Sequence, residues 1–146
     1  MEELRGGADV VLKKIMRQAA AERASDVHIE PGASFVRVRF RKDGLLSDRF
    51  CLSSSMAPNL SVRVKVLGRL DVGESRLPQD GSWAEEIDGV PYDFRISVLP
   101  SMYGETIVIR ILSGRVNFIE KNELGMRKEQ EALFRRALSK GQGLIL

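Results

Sequence analysis

Two arginines stand inside strand-like segments of the sequence, Arg95 in YDFRIS and Arg110 in IVIRIL. A guanidinium group stays charged and presents several N–H donors in one plane, which suits the oxygens of a phosphate or a carboxylate. If the segment SMYG between them is a four-residue turn, pairing counted outward from it places Arg95 opposite Arg110. Like charges directly opposite each other destabilise a sheet, so this pair requires an anion or a carboxylate nearby.

The sequence leaves two sources for that negative charge. Asp93 and Glu105 lie close to the arginines along the chain, and either carboxylate would neutralise the pair within the fold. Alternatively, the two guanidinium groups bind an anion from outside the fold through charge-assisted hydrogen bonds. Residue patterns alone leave both interpretations open.

A second basic set alternates along FVRVRFRK, which places Arg37, Arg39 and Arg41 on one face of a predicted strand. Such a row invites a nucleic-acid interpretation. The neighbouring Phe40 points to the opposite face, so the row lacks the stacking platform that single-strand binders use. We interpret it as a solvated face or a subunit contact, and expect no nucleic-acid partner.

The remaining candidate residues predict no further chemistry. One cysteine and one histidine, His28, cannot supply the ligands of a zinc site, and a single cysteine forms no internal disulfide. His28 stands among acidic residues without a partner nucleophile, so we interpret it as structural. Trp83, Tyr92 and Phe94 are expected to pack in a core. We therefore predict no catalytic residue and no metal site within these 146 residues.

Composition places the chain among soluble globular proteins. It is 43% hydrophobic and 29% charged, and its 146 residues suffice for one domain and the start of another. The net charge of +3 is weak evidence for a polyanionic partner. No apolar run approaches the ~20 residues of a membrane span, and the acidic N-terminus lacks the features of a secretory signal. We therefore expect a cytoplasmic location.

Periodicity predicts the elements that must position the arginines. Helical spacing spans 10–24 and again MRKEQEALFRRAL, which is followed by a short apolar strand, GLIL. Alternation predicts strands, with turns at Asp43-Gly44 and Asp88-Gly89. The strand segments are SDVHIEP, FVRVRFRK, LLSDRFCL, SWAEEI, VPYDFRISVLP and ETIVIRIL. The segment MAPNLSVRVKVLGRLD fits both a strand and a helix, and periodicity does not decide between them.

Seven motifs then show a family resemblance. In order and spacing they resemble the segments that precede the nucleotide-binding loop in type II secretion and type IV pilus assembly ATPases. They are ASDVHIEP, RVRFRKDG, RVKVLGRLD, RLPQDG, DFRISVLPSMYGE, VIRIL and LGM. One departure is Ser82, because many relatives have arginine directly after RLPQDG. The resemblance implies that RVKVLGRLD is helical.

The resemblance also implies a domain organisation. Residues 1–112 would form an N-terminal α+β domain, a PAS-like antiparallel sheet with flanking helices. Residues 113–123 would be a linker, and 124–146 the first helix and strand of a RecA-like ATPase domain. In the family that strand leads into the Walker A loop, and no Gly-Lys-Ser or Gly-Lys-Thr occurs in this sequence. We therefore expect the chain alone to be inactive and to bind no cofactor, whereas the complete protein would use ATP and Mg²⁺.

Function is implied by the same resemblance. Arginines that match Arg95 and Arg110 reach the phosphates of bound nucleotide in the family, so we predict arginine-finger-like roles for both. The complete protein would be a cytoplasmic homo-hexamer, peripheral to the bacterial inner membrane through platform proteins, that drives secretion or pilus assembly. The competing hypothesis is a stand-alone module that binds nucleic acid or an acidic protein through its basic strand.

Overall fold

The computed structural model describes residues 2–3, 6–113 and 125–145. The chain divides into two compact units, Met1–Arg115 and Val116–Leu146, which are described separately. Apart from Ser113, the predicted linker lies outside the described residues. None of the described helices is both long enough and apolar enough to span a membrane.

In the part that the structure describes, the first unit contains seven strands and two helices. The helices are α1 (Ala8–Ala21) and α2 (Met56–Gly68). The strands are β1 (Glu2–Glu3), β2 (Asp26–Pro31), β3 (Phe35–Lys42), β4 (Leu45–Ser53), β5 (Gln79–Ile87), β6 (Val90–Ser101) and β7 (Gly104–Ser113). They form one sheet in the order β1-β4-β3-β2-β7-β6-β5. All pairs are antiparallel except β1 with β4. The predicted α+β class and its antiparallel sheet with flanking helices are confirmed.

Two tight turns hold the hairpins in register. Asp43 and Gly44 have φ values of 50° and 80°, and Asp88 and Gly89 have 50° and 76°. Two-residue loops with both φ values positive match the right-handed twist of the flanking strands. The Asp-Gly pairs therefore end their strands at the predicted points.

Alternation divides the sheet into a buried face and a polar face. The residues on the buried face pack with α1 and α2 into one apolar core. The fully buried strand residues include Val27, Ile29, Val36, Val38, Phe40, Phe50, Phe94, Ile96, Val98, Ile107 and Ile109. Since side chains alternate along a strand, the residues between them lie on the opposite face.

The ambiguous segment after β4 is a helix, as the resemblance implied. Leu60 and Val64 on α2 are fully buried, whereas Val62 and Val66 are 46% and 53% exposed. Burial therefore follows the helical spacing, and the alternation of valines is incidental.

The end of α2 lies very close to strand β5. A Cβ atom added at Gly81 would lie 2.7 Å from the carbonyl oxygen of Gly68 and 2.7 Å from Cδ2 of Leu70. One at Gly68 would lie 2.4 Å from Cδ1 of Ile96. Gly81, the last residue of the LPQDG motif, is thus required by packing against backbone.

We expect Gly81→Ala to lower the free energy of unfolding by about 1–3 kcal/mol, because the added methyl group must displace the end of α2. Urea denaturation of the purified chain measures this loss. Ser82→Ala is the matched control, since Ser82 is an exposed neighbour on the same strand, and its effect should stay below about 0.5 kcal/mol. Equal stability of Gly81→Ala and the unchanged chain would contradict the close approach.

The second unit contains α3 (Lys128–Leu138), which matches the predicted helix. Gln130 Oε1 accepts a hydrogen bond from the backbone N–H of Arg127 at its start, and Gly141 has a φ of 67° beyond its end. The predicted strand GLIL is not formed over residues 143–145. A strand requires a hydrogen-bonded neighbour, and within the described ranges none pairs with these residues.

Candidate anion-binding site

Arg95 and Arg110 lie directly opposite each other, as the turn geometry predicted. Strands β6 and β7 pair from Ser101 with Gly104 through Arg95 with Arg110. Both side chains leave the polar face of the sheet and are exposed, 65% in the case of Arg110. Two guanidinium groups therefore lie side by side on a surface that α1 and α2 do not cover.

These arginines belong to a row that crosses five strands, which we call the arginine row. Each member is the register partner of the next, from β5 through β6, β7 and β2 to β3. The members are Ser82, Arg95, Arg110, Asp26 and Arg41. Neighbouring strands lie ~4.8 Å apart, so the row presents three positive charges and one negative charge within ~20 Å.

The carboxylate that pairs with the arginines is Asp26, and the interpretation that assigned this role to Asp93 or Glu105 is wrong. Nε of Arg110 donates to Oδ1 of Asp26 at 3.2 Å. Glu105 points to the other side of the sheet and pairs with Lys65. No ion pair joins Asp93 to either arginine among the described residues. The role of Asp26 was not predicted, because hairpin geometry gives the register only of strands that are joined by a turn.

Asp26 balances part of the charge of the row and leaves the rest available. Its side chain is only 10% exposed, and it accepts a hydrogen bond from Oγ of Ser25 at 2.8 Å. Nε of Arg41 lies 3.5 Å from its Oδ2. The guanidinium group of Arg95, in contrast, forms no hydrogen bond or ion pair with any described residue. One guanidinium group is thus unpaired and a second is held by one edge, an arrangement suited to an oxyanion.

A shallow cleft runs along this part of the row. Asp80, Ser97 and Val108 line it beside the two arginines. Oγ of Ser97 donates to Oδ1 of Asp80 at 2.5 Å, which fixes the carboxylate at one wall. Over the described ranges, no group of three or more acidic, histidine or cysteine side chains is placed to hold a metal ion.

The basic residues of β3 are engaged within the fold. Arg39 pairs with Glu30 at 2.5 Å, and Arg41 donates to the carbonyl oxygen of Gly44 at 3.1 Å. The guanidinium group of Arg37 lies 5.7 Å from the ring centroid of Phe35. These contacts occupy part of the donor capacity of the three arginines, and the interpretation as a solvated face or a subunit contact stays a prediction.

His28 lies in the same face and fits a structural role. Its side chain is 16% exposed, and Nδ1 lies 3.9 Å from Oε1 of Glu30. Burial lowers the pKa of His28 below its ordinary value, although the carboxylate of Glu30 opposes this shift. The imidazole is therefore neutral at pH 7 and adds no charge to the arginine row.

A buried polar cluster that was not predicted from the sequence lies beneath the sheet. Lys65 is only 1% exposed, and its Nζ lies 2.5 Å from Oε1 of Glu105 in an ion pair. Nζ also donates to the carbonyl oxygen of Glu74 at 2.6 Å, and Ser61 donates to the other oxygen of Glu105. Lysine is rarely buried, so the residue type alone favours an exposed side chain. Helical spacing was the available signal, because Ser61 and Lys65 share one line of α2.

Gln79, in the LPQDG motif, completes this region. Its Nε2 donates to the carbonyl oxygens of Asp71 and Glu74 at 3.0 and 2.9 Å, and its Oε1 accepts from the backbone N–H of Asp71 at 2.8 Å. The motif therefore anchors the loop between α2 and β5.

Comparison with known families gives a match over nearly the whole chain. The family described as "Type II/IV secretion system protein" matches residues 5–146. The chain is 42% identical over 136 residues to the Protein transport protein HofB homolog of Escherichia coli, covering 93% of this chain and 30% of that protein. It is 36% identical over 136 residues to the Type II secretion system ATPase E of Vibrio cholerae, covering 93% and 27%.

A third relative and one solved structure complete the comparison. The chain is 37% identical over 148 residues to the Type IV pilus assembly ATPase PilB of Acinetobacter baylyi, covering 99% of this chain and 26% of that protein. The X-ray structure of the Legionella pneumophila ATPase DotB is similar with a TM-score of 0.50 and 14% identity, over 88% of this chain and 35% of that one. At this identity the likeness shows a shared fold alone. The chain spans less than a third of the length of these three relatives.

Proposed function

The chain belongs to the type II/IV secretion system protein family, and from that membership we propose that it is the N-terminal module of a motor ATPase for secretion or pilus assembly. In this proposal residues 1–112 form a PAS-like domain and 113–123 a linker. Residues 124–146 open a RecA-like ATPase core. The relatives that carry ATPase in their names, and the short share of their length that this chain spans, support this assignment.

The observation that carries the proposal is the adjacent pair of Arg95 and Arg110 on the polar face of the sheet. We propose that both guanidinium groups contact the phosphates of a nucleotide bound by the ATPase core. Phosphoryl transfer develops charge on the phosphate oxygens, and arginines placed against them stabilise that charge. Arg95 is the stronger candidate, since no described residue competes for its N–H donors.

ATP and Mg²⁺ belong to the core in this proposal. The Walker A loop would hold the phosphates through backbone N–H groups and a lysine, and Mg²⁺ would neutralise the developing charge. The residues described in this chain supply no metal-binding group, so they contribute orientation and positive charge only. We further propose that the complete motor is a cytoplasmic homo-hexamer that acts through platform proteins of the inner membrane.

Replacing either arginine by alanine should lower ATP turnover of the complete motor by roughly ten- to a hundredfold. A charge-assisted hydrogen bond contributes about 1.5–3 kcal/mol, and that loss appears in the barrier when the bond strengthens in the transition state. Steady-state phosphate release measures turnover. The isolated chain should keep its thermal midpoint in Arg95→Ala, because an exposed arginine without a partner contributes little to folding.

Arg37→Ala is the matched control for this experiment. Arg37 lies on the same face but outside the arginine row, so its removal should leave turnover within about twofold. If Arg95→Ala and Arg110→Ala fold and keep normal turnover, neither arginine acts on the nucleotide and the proposed site is wrong.

The gene provides an independent test of the module assignment. The proposal requires a Walker A sequence soon after the codon for Leu146, ending in Gly-Lys-Ser or Gly-Lys-Thr. A natural stop codon at that point would contradict it.

A further inference from the structure

We infer that Asp26 is the positioning residue of the proposed phosphate site, because its carboxylate holds Arg110 by Nε and leaves both terminal amino groups directed at the ligand. This inference rests on the proposed role of the arginine row. It adds a residue that contacts no phosphate itself.

The contact between the two side chains is one-sided. Nε of Arg110 lies 3.2 Å from Oδ1 of Asp26, and neither terminal nitrogen of Arg110 has a hydrogen-bond partner in the described parts of the chain. An Arg–carboxylate pair often uses two parallel bonds, which would occupy one terminal amino group. Here only the inner edge is used, so the outer edge of the guanidinium group keeps its donors.

Burial explains which partner is the anchor. The side chain of Asp26 is 10% exposed, whereas that of Arg110 is 65% exposed. Ser25 donates to Oδ2 of Asp26, and that oxygen also lies 3.5 Å from Nε of Arg41. Several contacts therefore fix the carboxylate of Asp26 close to the polar face of the sheet. The guanidinium group of Arg110 extends from it into solvent.

A comparison of Arg110 with Arg95 shows the effect of the contact with Asp26 on the freedom of an arginine side chain. Arg95 is the register partner of Arg110 on β6, and its guanidinium group has no hydrogen bond or ion pair with a described residue. A free arginine side chain loses rotamer freedom when it binds, and that loss weakens binding. Arg110 has part of its rotamer freedom removed beforehand by Asp26, so the row combines one anchored and one unpaired guanidinium group.

The negative charge of Asp26 opposes this benefit, because it repels a phosphate. Two substitutions separate the effects. Asp26→Asn and Asp26→Ala both remove the charge, but only asparagine keeps an oxygen that can accept from Nε of Arg110. We expect the asparagine variant to bind inorganic tripolyphosphate roughly three- to tenfold more tightly than the alanine variant.

Titration of the 146-residue chain with inorganic tripolyphosphate tests the inference, with binding followed by the arginine side-chain Nε–H resonances. In an Arg110→Ala background the difference between the two Asp26 variants should disappear. Equal affinities of the two variants, with normal binding by the unchanged chain, would overturn the positioning role and leave the phosphate site intact. If the unchanged chain does not bind tripolyphosphate, the inference is wrong, because an oriented Arg110 beside Arg95 should attract this anion without the core. The proposed contact of both arginines with nucleotide bound by the core is then decided by the turnover experiment. Binding that is equally tight without Arg95 and Arg110 would contradict both the proposed site and the inference.

If Asp26→Ala does not fold, the positioning role of Asp26 is tested on the unchanged chain instead. At saturating tripolyphosphate, the Nε–H of Arg110 should keep its resonance position and its protection from solvent exchange, while the Nε–H of Arg95 shifts. Loss of that protection on binding would show that the phosphate displaces Asp26, and the inference would be wrong.

Discussion

Replacing Glu105 by alanine is expected to lower the free energy of unfolding by about 3–5 kcal/mol. The reason is the buried pair beneath the sheet, where Lys65 is 1% exposed and the side chain of Glu105 12% exposed. Alanine leaves the buried ammonium group of Lys65 without its counter-charge and Ser61 without its acceptor. The bond from Lys65 to Glu74 remains, so we expect the lower half of the range. Urea denaturation measures the change.

Two variants control for the size of the side chain. Glu105→Gln keeps an oxygen near Ser61 and Lys65 and should lose clearly less than alanine. Combining Lys65→Met with Glu105→Gln removes both charges and should recover much of the stability, because apolar replacement of a buried pair is often neutral or better. A loss below about 1 kcal/mol in Glu105→Ala would show that water reaches Lys65.

Phe94→Ala should cost about 3–5 kcal/mol, the usual effect of removing a buried aromatic ring. Phe94 is completely buried, and its ring centroid lies 4.5 Å from that of Trp83 and 6.0 Å from that of Tyr92. The substitution empties the centre of this aromatic group and leaves a cavity under β5 and β6. Chemical denaturation with tryptophan fluorescence follows it directly, because Trp83 is the sole tryptophan.

Phe94→Leu and Arg95→Ala are the controls for this experiment, the first for the volume of the ring and the second for the face of the sheet. Leucine refills most of the volume and should cost about 1.5 kcal/mol. Arg95 is the next residue along the strand but points to the opposite face, so its removal should change stability by less than about 0.5 kcal/mol. Similar losses for Phe94→Ala and Arg95→Ala would contradict the assignment of the two faces.

Local patterns predicted the parts of this fold that depend on local physics. Alternation gave the strands, and the Asp-Gly pairs gave their turns because few other residues accept positive φ there. The four-residue turn at SMYG was sufficient to place Arg95 opposite Arg110. The helix α2 was predicted from the family resemblance, since its valines fitted both periods.

Features that depend on distant neighbours were not predictable in this way. Asp26 meets Arg110 because β2 lies next to β7, and no turn signal links strands so far apart in sequence. Lys65 is buried against Glu105 of β7, and burial of a lysine depends on an acidic partner that its own segment does not reveal. The role of the arginine row in binding phosphate stays a prediction until the variants are measured.

The place where β2 meets β7 has a consequence for how the chain folds. It joins two meanders, β2-β3-β4 and β5-β6-β7, each of which pairs strands that follow one another in sequence. Asp26 and Arg110 are 84 positions apart, so closing this seam requires ordering a long loop of chain. The entropy of that loop opposes closure, and such non-local pairing is slow compared with hairpin formation. The arginine row crosses the seam, so Arg110 meets Asp26 only when this long-range pairing forms.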